Sequence, residues 1–227
     1  MKKSLILFIL LITSTLLFNK KLISIYFSYK FSKWVEKKVI FDEFDIEYPN
    51  SISISGLKVI NSDDIYYNSI FEAENIFINF NLKSLFFSEL IIVNNLLIEK
   101  PIFFLELIEK NKKSGELNET IEVIYEDNIG LAKKINEDLP DKIWPKKNKD
   151  TNFLILNSDI IDGKAFIKVT SIPESFEIVM SKMKFSQFGN HKDNKHYKSV
   201  LKIMLFDIFA RVEDSHLKKL LKQVYNF

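Results

Sequence analysis

Residues 51–60 read SISISGLKVI, and this short stretch sets the expectation for the fold. Ile52 and Ile54 alternate with serines, which predicts a strand with one apolar face and one polar face. After Gly56, the segment LKV places its apolar residues on the opposite parity. A glycine at such a change of phase predicts a β-bulge or a sharp bend within the strand.

The sequence that follows repeats the period-two pattern. Residues 71–82 read FEAENIFINFNL, in which the apolar parity changes once more. Residues 90–98 are apolar on both parities, so this strand must be covered on both faces by core, by a helix or by lipid. Pro101 then precedes another strand at 102–108. The short spacing between these strands leaves no room for crossover helices, so we expect an antiparallel β meander.

The middle of the chain carries weaker patterns. Residues 116–138 have an imperfect helical period and predict a helical insertion in a β domain that otherwise spans 37–189. Strands resume at 153–161 and 164–170. Asp162-Gly163 between them predicts a two-residue hairpin turn, because a type I′ turn requires positive φ at both central positions.

Residues 190–227 predict one C-terminal amphipathic helix after a polar loop. Its apolar positions are Val200, Ile203, Met204, Ile208, Phe209, Val212, Leu217, Leu220, Leu221 and Val224. Two roles fit this stripe: closing the open side of the sheet, or binding an anionic membrane surface. We favour the first role because most such stripes belong to a core.

The N-terminus carries a long uncharged segment. Residues 4–18 read SLILFILLITSTLLF, with lysines on both sides. A membrane span needs about 20 apolar residues, with a lower limit of about 17, and snorkelling lysines extend a short run. We therefore predict a transmembrane signal anchor over 1–21. The alternatives are a cleaved signal peptide and a buried core helix, but no A-x-A-like cleavage site follows, since the first alanine is Ala73.

The sequence around this anchor leaves two questions open. More lysines follow the run than precede it, so a strict positive-inside count places the rest of the chain in the cytoplasm. Residues 22–36 predict a collar helix with Tyr26, Tyr29 and Trp34 at the lipid headgroups. A helix that packs on the β domain fits the same residues equally well.

Little in the chain points to catalysis or to a cofactor. The absence of cysteine excludes disulfides and thiolate metal sites, and the three histidines lack the spacing of a helical metal pair. No phosphate-binding loop and no nucleophile elbow occurs. The net charge is +2 and the basic residues are scattered, which does not favour nucleic acid as a partner. We therefore predict a non-enzymatic protein that uses no metal or cofactor.

Residues 51–109 resemble the N-terminal module of the AsmA-like proteins, which follows an amino-terminal membrane helix. The matching elements are Gly56-Leu57-Lys58-Val59 at a strand end, Asn61, the alternating strand 76–80, Leu82-Lys83-Ser84-Leu85, and the Ile-rich strand from Leu90 to Pro101. Residues 154–166 are similar to the family's strand–turn–strand. The resemblance covers the larger part of the chain and includes no invariant catalytic residue.

The resemblance implies a bacterial inner-membrane protein with its β domain in the periplasm. It also implies a curved antiparallel sheet that forms an apolar groove and serves phospholipid transport or outer-membrane assembly. We therefore expect the periplasmic side against the lysine count, since a long translocated domain can override local charge bias. This chain is shorter than typical members of the family. About eight strands spaced about 4.8 Å apart give a sheet of about 40 Å, too short to bridge two membranes alone.

The candidate lipid-binding residues belong to the alternating strands. They are Ile52, Ile54, Ile76, Ile78, Phe80, Ile92, Leu96 and Ile98. An ordinary core would use the same eight residues, and a face filled by the protein's own helices would remove the groove. The rival hypothesis is a membrane-anchored scaffold of an envelope or secretion complex that binds no lipid. The expected partners are thus the membrane, phospholipid and other envelope proteins, and not nucleic acid.

Overall fold

The computed structural model describes residues 20–35, 37–61, 66–113, 121–127, 152–190 and 195–225. Within these ranges the protein is mainly β, with one mixed sheet and a few helices. The strands are β1 (Val39–Ile40), β2 (Glu43–Glu47), β3 (Ser51–Ile60), β4 (Ser69–Phe80), β5 (Leu90–Glu99), β6 (Ile102–Lys113), β7 (Ile121–Asp127), β8 (Asn152–Ile161), β9 (Lys164–Val169), β10 (Ser175–Val179), β11 (Met183–Gly189) and β12 (Lys195–His196). The helices are α1 (Lys20–Val35), α2 (Leu82–Phe87), α3 (Tyr197–Ala210) and α4 (Ser215–Tyr225).

Several of these strands are segments of longer ones. β5 pairs with β8 and β6 pairs with β9 at one constant offset, so the two halves of each strand stay in register across the break. The pairing of β10–β11 with β9–β8 and the pairing of β1–β2 with β3 likewise keep one constant register across the break. The sheet therefore has six long strands, in the order β1–β2, β3, β4, β5–β6, β8–β9, β10–β11. β7 extends the free edge of β6, and β12 pairs with the end of β11.

The expected all-antiparallel meander is wrong at one place. β5–β6 and β8–β9 run parallel, while the other long neighbours are antiparallel. A parallel pair requires a connection of about a dozen residues or more. The chain between β7 and β8 is long enough for that, whereas the prediction rested on the short spacings before residue 109.

Four of the long strands break at the same level, and the register continues this level through the unbroken strands β3 and β4 as a single row, here called the crease. The register places one residue of each long strand on it, namely Asp42, Gly56, Glu74, Lys100, Asp162 and Ser181. Gly56, Lys100 and Asp162 have positive φ, at 62°, 47° and 55°. Of the two alternatives predicted at Gly56, a bulge and a sharp bend, the pairing with β4 excludes the bulge, because its offset is the same before and after Gly56. The positive φ of Gly56 marks a local bend.

The crease changes which side chains face the core. Ile98 and Phe103 lie five positions apart, and an uninterrupted strand would place them on opposite faces. Both instead pack against the same buried cluster. The side-chain phase of β5–β6 therefore changes at the crease.

The hairpin predicted at Asp162-Gly163 is wrong for the same reason. The N–H of Lys164 donates to Pro101 O at 2.8 Å, and the N–H of Lys100 donates to Ile161 O at 2.9 Å. The parallel ladder therefore continues through Asp162, which lies in the crease. A strand bulge and a type I′ turn both favour Asp and Gly because both use positive φ.

Two further predictions differ from the structure. Residues 121–127 form β7, paired with β6, where a helix over 116–138 was predicted; the rest of that segment lies outside the described residues. The single C-terminal helix is two helices, α3 and α4, separated at 211–214. The Asp214 carboxylate accepts a hydrogen bond from Leu217 N at 2.6 Å, which caps α4.

The C-terminal stripe closes the sheet, as favoured from the sequence. Val200, Met204, Ile208 and Phe209 of α3 belong to the main buried cluster, and so does Leu217 of α4. Their partners come mainly from one face of β6, β8, β9, β10 and β11. α3 and α4 therefore cover that face on the β8–β11 side of the sheet.

α1 is a helix where the collar was predicted, and it packs on β1 and β2. The Phe27 ring stacks on Phe44 at 4.1 Å between centroids, and Phe44 N donates to Ser24 Oγ at 3.0 Å. Among the described residues, no helix is both long enough and apolar enough to cross a membrane. The predicted anchor at 1–21 falls almost wholly outside those residues, as does the Trp34 side chain.

Candidate functional site

Six of the eight candidate residues share one face of the sheet. Ile52 lies opposite Ile78, and Ile54 lies opposite Ile76. Ile76 and Ile78 are paired in turn with Ile98 and Leu96 on β5. Directly paired residues point to the same side of a sheet, so these six side chains form a continuous apolar surface.

Phe80 and Ile92 stand where the register changes. A bulge between Asn79 and Phe80 pairs Phe80 with Val93 instead of with residue 94. Ile92 lies beside Leu154 of β8. These two residues therefore mark the end of the apolar surface that is farthest from the crease.

The apolar surface is only partly covered. Ile54 is buried at 3% exposure, whereas the other seven candidates are half-buried. In a filled core, apolar side chains of this size are commonly buried almost completely. The surface thus retains accessible apolar area between β3 and β5.

One flank of this surface is formed by α1 and β2. Phe44 lies opposite Ile54, is 1% exposed, and is held between Ile54 and the stacked ring of Phe27. Phe41 adds a second aromatic contact to Phe44 at 5.8 Å between ring centroids. α1 therefore forms a wall along the β1–β2 edge.

The other side of this surface borders the main buried cluster. Ile98 packs against the buried cluster that α3 completes, and Ile98 is paired with the buried Ile160. Ile98 is the candidate residue that joins the surface to this cluster, and its exposure is in the same half-buried range as that of Ile52, Ile76, Ile78 and Leu96. Two strand spacings, about 10 Å, separate β3 from β5 across this surface.

The reverse face of the same strands is polar. Asn75 Nδ2 donates to Glu99 Oε2 at 3.0 Å, and Asn79 Nδ2 donates to Ser51 Oγ at 2.9 Å. Asn94 Nδ2 extends the network to Asn79 Oδ1 at 2.9 Å. Because this side satisfies itself with hydrogen bonds, the apolar surface is the side of these strands suited to an apolar ligand.

A short helix closes the end of the strands beyond Phe80. Asn50 Nδ2 donates to Phe80 O at 2.8 Å, which holds the β2–β3 turn beside the end of β4. Asn81 Oδ1 accepts from Ser84 N at 3.1 Å and caps α2. Ile92 N donates to Ser84 Oγ at 2.9 Å, so α2 is fixed to the start of β5.

Sequence reasoning missed two hydrogen-bonded carboxylates outside this surface, the buried Glu106 and the half-buried Asp207. The Glu106 carboxylate is 1% exposed and accepts hydrogen bonds from Tyr66 N at 3.2 Å and Tyr67 N at 2.6 Å. Burial raises its pKa, and the two backbone hydrogen bonds oppose that rise. A polar residue in an alternating strand normally indicates the solvent face, so no sequence signal marked Glu106 as buried.

The second group joins α3 to the crease. Asp207 accepts hydrogen bonds from Ser181 N at 3.1 Å, Ser181 Oγ at 2.8 Å and Arg211 Nε at 3.1 Å. Burial alone raises the pKa of the Asp207 carboxyl, but the bonds from Arg211 and Ser181 outweigh it and lower that pKa. Asp207 therefore links α3 to Ser181 in the crease, because it accepts hydrogen bonds from both Ser181 and Arg211.

Two cavities lie elsewhere in the described part of the chain. An open cleft of about 730 Å³ runs between Ser175–Val179 and Arg211–Asp214. A cavity of about 30 Å³ lies beneath α3, between Phe103, Ala165 and Phe209 among others. None of the eight candidate residues lines either one. The apolar surface, called the trough below, is therefore separate from both cavities.

Comparison of the chain with protein-family models, curated proteins and solved structures finds no match.

Proposed function

We propose that this protein is an inner-membrane-anchored, periplasmic, AsmA-like protein that handles phospholipid in transport or cell-envelope assembly. The partly exposed apolar surface carries this proposal, because α1 packs along one side of it and hydrogen-bonded polar side chains lie on its reverse face. The uncharged run at 4–18 and the resemblance of residues 51–109 to the AsmA-like module support the anchor and the compartment.

Lipid binding by such a surface needs no catalytic group. Each methylene removed from water gains about 0.8 kcal/mol, so acyl chains placed on Ile52, Ile76, Ile78 and Leu96 are held by burial alone. We accordingly propose a non-enzymatic role without a metal or cofactor, and with phospholipid as the ligand.

The experiment is a search for co-purifying phospholipid on a chain that begins at Lys20. This start keeps α1, whose Phe27 covers Phe44, and omits the apolar run that would itself retain lipid. The protein is exported to the periplasm, purified without detergent, extracted and analysed by mass spectrometry. We expect phospholipid on the wild type, and loss of most of it in Ile78→Asp and in Ile78→Asp/Phe80→Asp.

The matched control is Phe77→Asp, at the neighbouring position on the opposite face. Both Phe77 and Ile78 are half-buried in β4, so an equal cost to folding affects both variants. Retention of lipid in Phe77→Asp with loss in Ile78→Asp assigns the lipid to the apolar surface. A folded wild-type domain without lipid would contradict the proposal and favour the anchored scaffold.

A further inference from the structure

The two most exposed aromatic residues in the described chain lie at one end of the sheet, here called the aromatic end. Tyr48, in the β2–β3 turn, is 95% exposed, and Phe87, the last residue of α2, is 85% exposed. Ile46 and Leu82 add two further exposed apolar side chains beside them. Aromatic residues that are held at a protein surface in this way are enriched at membrane–water interfaces.

The residues of the aromatic end are fixed relative to one another. Asn50 exchanges two hydrogen bonds with Phe80, one from its side chain and one to its carbonyl, each at 2.8 Å. Asn81 follows directly and caps α2, while its N–H donates to Ile92 O at 2.8 Å. The turn with Tyr48 and the helix with Phe87 therefore form one rigid edge and not two independent loops.

The N-terminal segment enters the fold at the same end. Val39 N donates to Ser32 Oγ at 2.7 Å, and Phe44 N donates to Ser24 Oγ at 3.0 Å. α1 and β1–β2 therefore run antiparallel, and the start of α1 lies towards the same end as Tyr48. Lys20 lies one helical turn, about 6 Å, beyond Ser24 in that direction. The 19 residues before Lys20, with their uncharged run at 4–18, are therefore attached beside the aromatic end.

We propose that the aromatic end rests in the headgroup region of a lipid bilayer, with Tyr48 and Phe87 as its contacts. This inference rests on the proposed membrane anchor. Ile52 follows the Tyr48 turn and Phe80 precedes α2, so one end of the apolar surface lies at the aromatic end. A bilayer there is next to this end of the trough, with α2 and the Tyr48 turn between them.

Aromatic burial supplies the attraction, and charge does not. The cations Lys21 and Lys83 are offset by the anions Glu47 and Glu89, and all four side chains are exposed. An orientation with α1 flat on the membrane is less favourable, because the exposed Tyr26 and Tyr29 of that helix are much less accessible than Tyr48 and Phe87. Lys30 and Lys33 also lie over those two rings, at 5.4 Å and 4.6 Å.

The test measures the depth of single tryptophans in the full chain, reconstituted in phosphatidylcholine–phosphatidylethanolamine vesicles. Trp34→Phe and Trp144→Phe remove the native tryptophans, and single probes follow as Tyr48→Trp, Phe87→Trp, Tyr29→Trp and Tyr66→Trp. Phosphatidylcholine brominated near the headgroup end of its acyl chains is the quencher. Tyr66 is the matched control, because it is 63% exposed at the opposite end of β3 and β4.

We expect several-fold stronger quenching and blue-shifted emission for the probes at positions 48 and 87 than for the probe at 66, with little change in high salt. Quenching at 48 and 87 that is no stronger than at 66 would overturn the proposal, as would strong quenching at 29 with none at 48 and 87. All four probes replace exposed aromatic side chains, and circular dichroism verifies that each variant folds.

Adding Ile78→Asp to the probe variants separates this inference from lipid binding. If the trough holds lipid, that substitution removes co-purifying phospholipid and leaves quenching at 48 and 87 unchanged. If the wild type shows quenching at 48 and 87 but carries no bound lipid, the membrane docking of the aromatic end stands and lipid binding by the trough is rejected. Bound lipid without quenching would reject the docking alone.

Discussion

At the scale of single residues, Glu106 is the side chain with the least expected environment. Its carboxylate is buried against the backbone of Tyr66 and Tyr67, at the start of the segment that leads into β4. Lys168 is its register partner on β9, and the Lys168 ammonium donates to the carbonyls of Ile172 and Pro173. Glu106 therefore ties the loop before β4 to the centre of the sheet.

The raised pKa of Glu106 predicts a pH-dependent stability of defined sign. A carboxyl whose pKa is higher in the folded state binds more protons when folded, so the free energy of unfolding falls as pH rises from the unfolded to the folded pKa. We expect the difference in this free energy between wild type and Glu106→Gln to decrease as pH rises above about 4.3, the unfolded value. Urea unfolding at a series of pH values measures it.

Apart from this pH dependence, Glu106→Gln should lower the free energy of unfolding by about 1–2 kcal/mol. Its amide nitrogen replaces one of the two acceptor oxygens, which leaves Tyr66 N–H or Tyr67 N–H facing a donor. A difference curve that rises with pH would show instead that the folded protein prefers the ionised carboxylate.

At the scale of elements, the crease organises the sheet. In β5–β6, side chains on both sides of the crease pack against the buried cluster because the strand changes phase at Lys100, whose φ is positive. Lys100 and Glu74 are neighbours in this row and form an ion pair at 2.6 Å. Both side chains are more than half exposed, so backbone geometry and not this ion pair holds the crease.

Gly56→Ala tests the crease at the strand where sequence reasoning predicted it. The φ of +62° is unfavourable for alanine, and a Cβ there would lie 2.0 Å from Asp42 Oδ2. We expect the free energy of unfolding to fall by about 1–3 kcal/mol in chemical denaturation.

Asp42→Ala provides the control for that substitution. Because it removes the side chain that meets the new Cβ, the double variant Gly56→Ala/Asp42→Ala should recover part of the loss and keep the backbone part. Wild-type stability in Gly56→Ala alone would argue that β3 passes residue 56 without a local bend.

At the scale of the whole molecule, α1 connects the N-terminal segment to the sheet. Its inner side carries Phe27 and Ser24 against β2, while Tyr26 and Tyr29 face outward. The connection is therefore packed and hydrogen-bonded, as the proposed role of α1 between an anchor and a lipid-binding surface requires.

Phe27→Ala should weaken this link and the whole domain. Removing the ring uncovers Phe44, and truncation of a packed phenylalanine costs about 3 kcal/mol. Tyr29→Ala, on the outward side of the same helix, should stay within about 0.5 kcal/mol of the wild type. Thermal unfolding of chains that begin at Lys20 compares the two. Equal losses in both variants would mean that α1 does not pack on β2 as described.

The candidate surface shows how far sequence reasoning reaches. Ile52, Ile54, Ile76 and Ile78 were grouped by alternation alone, and the register does place them side by side. Alternation is a local property, so it identifies one face of each strand. It does not indicate whether that face is covered, and in the structure Ile54 is buried while Ile52 and Ile78 are half-buried.

The sequence by itself determined the β class, the apolar parity of each strand and the change of phase at Gly56, because these depend on neighbours one or two positions away. Only the tertiary structure decided that β8 pairs parallel to β5, that Asp162-Gly163 is a bulge, and that Glu106 is buried. Each of these depends on a partner strand or loop that lies far away in sequence. The same local pattern is compatible with several partners, and long-range packing selects one of them.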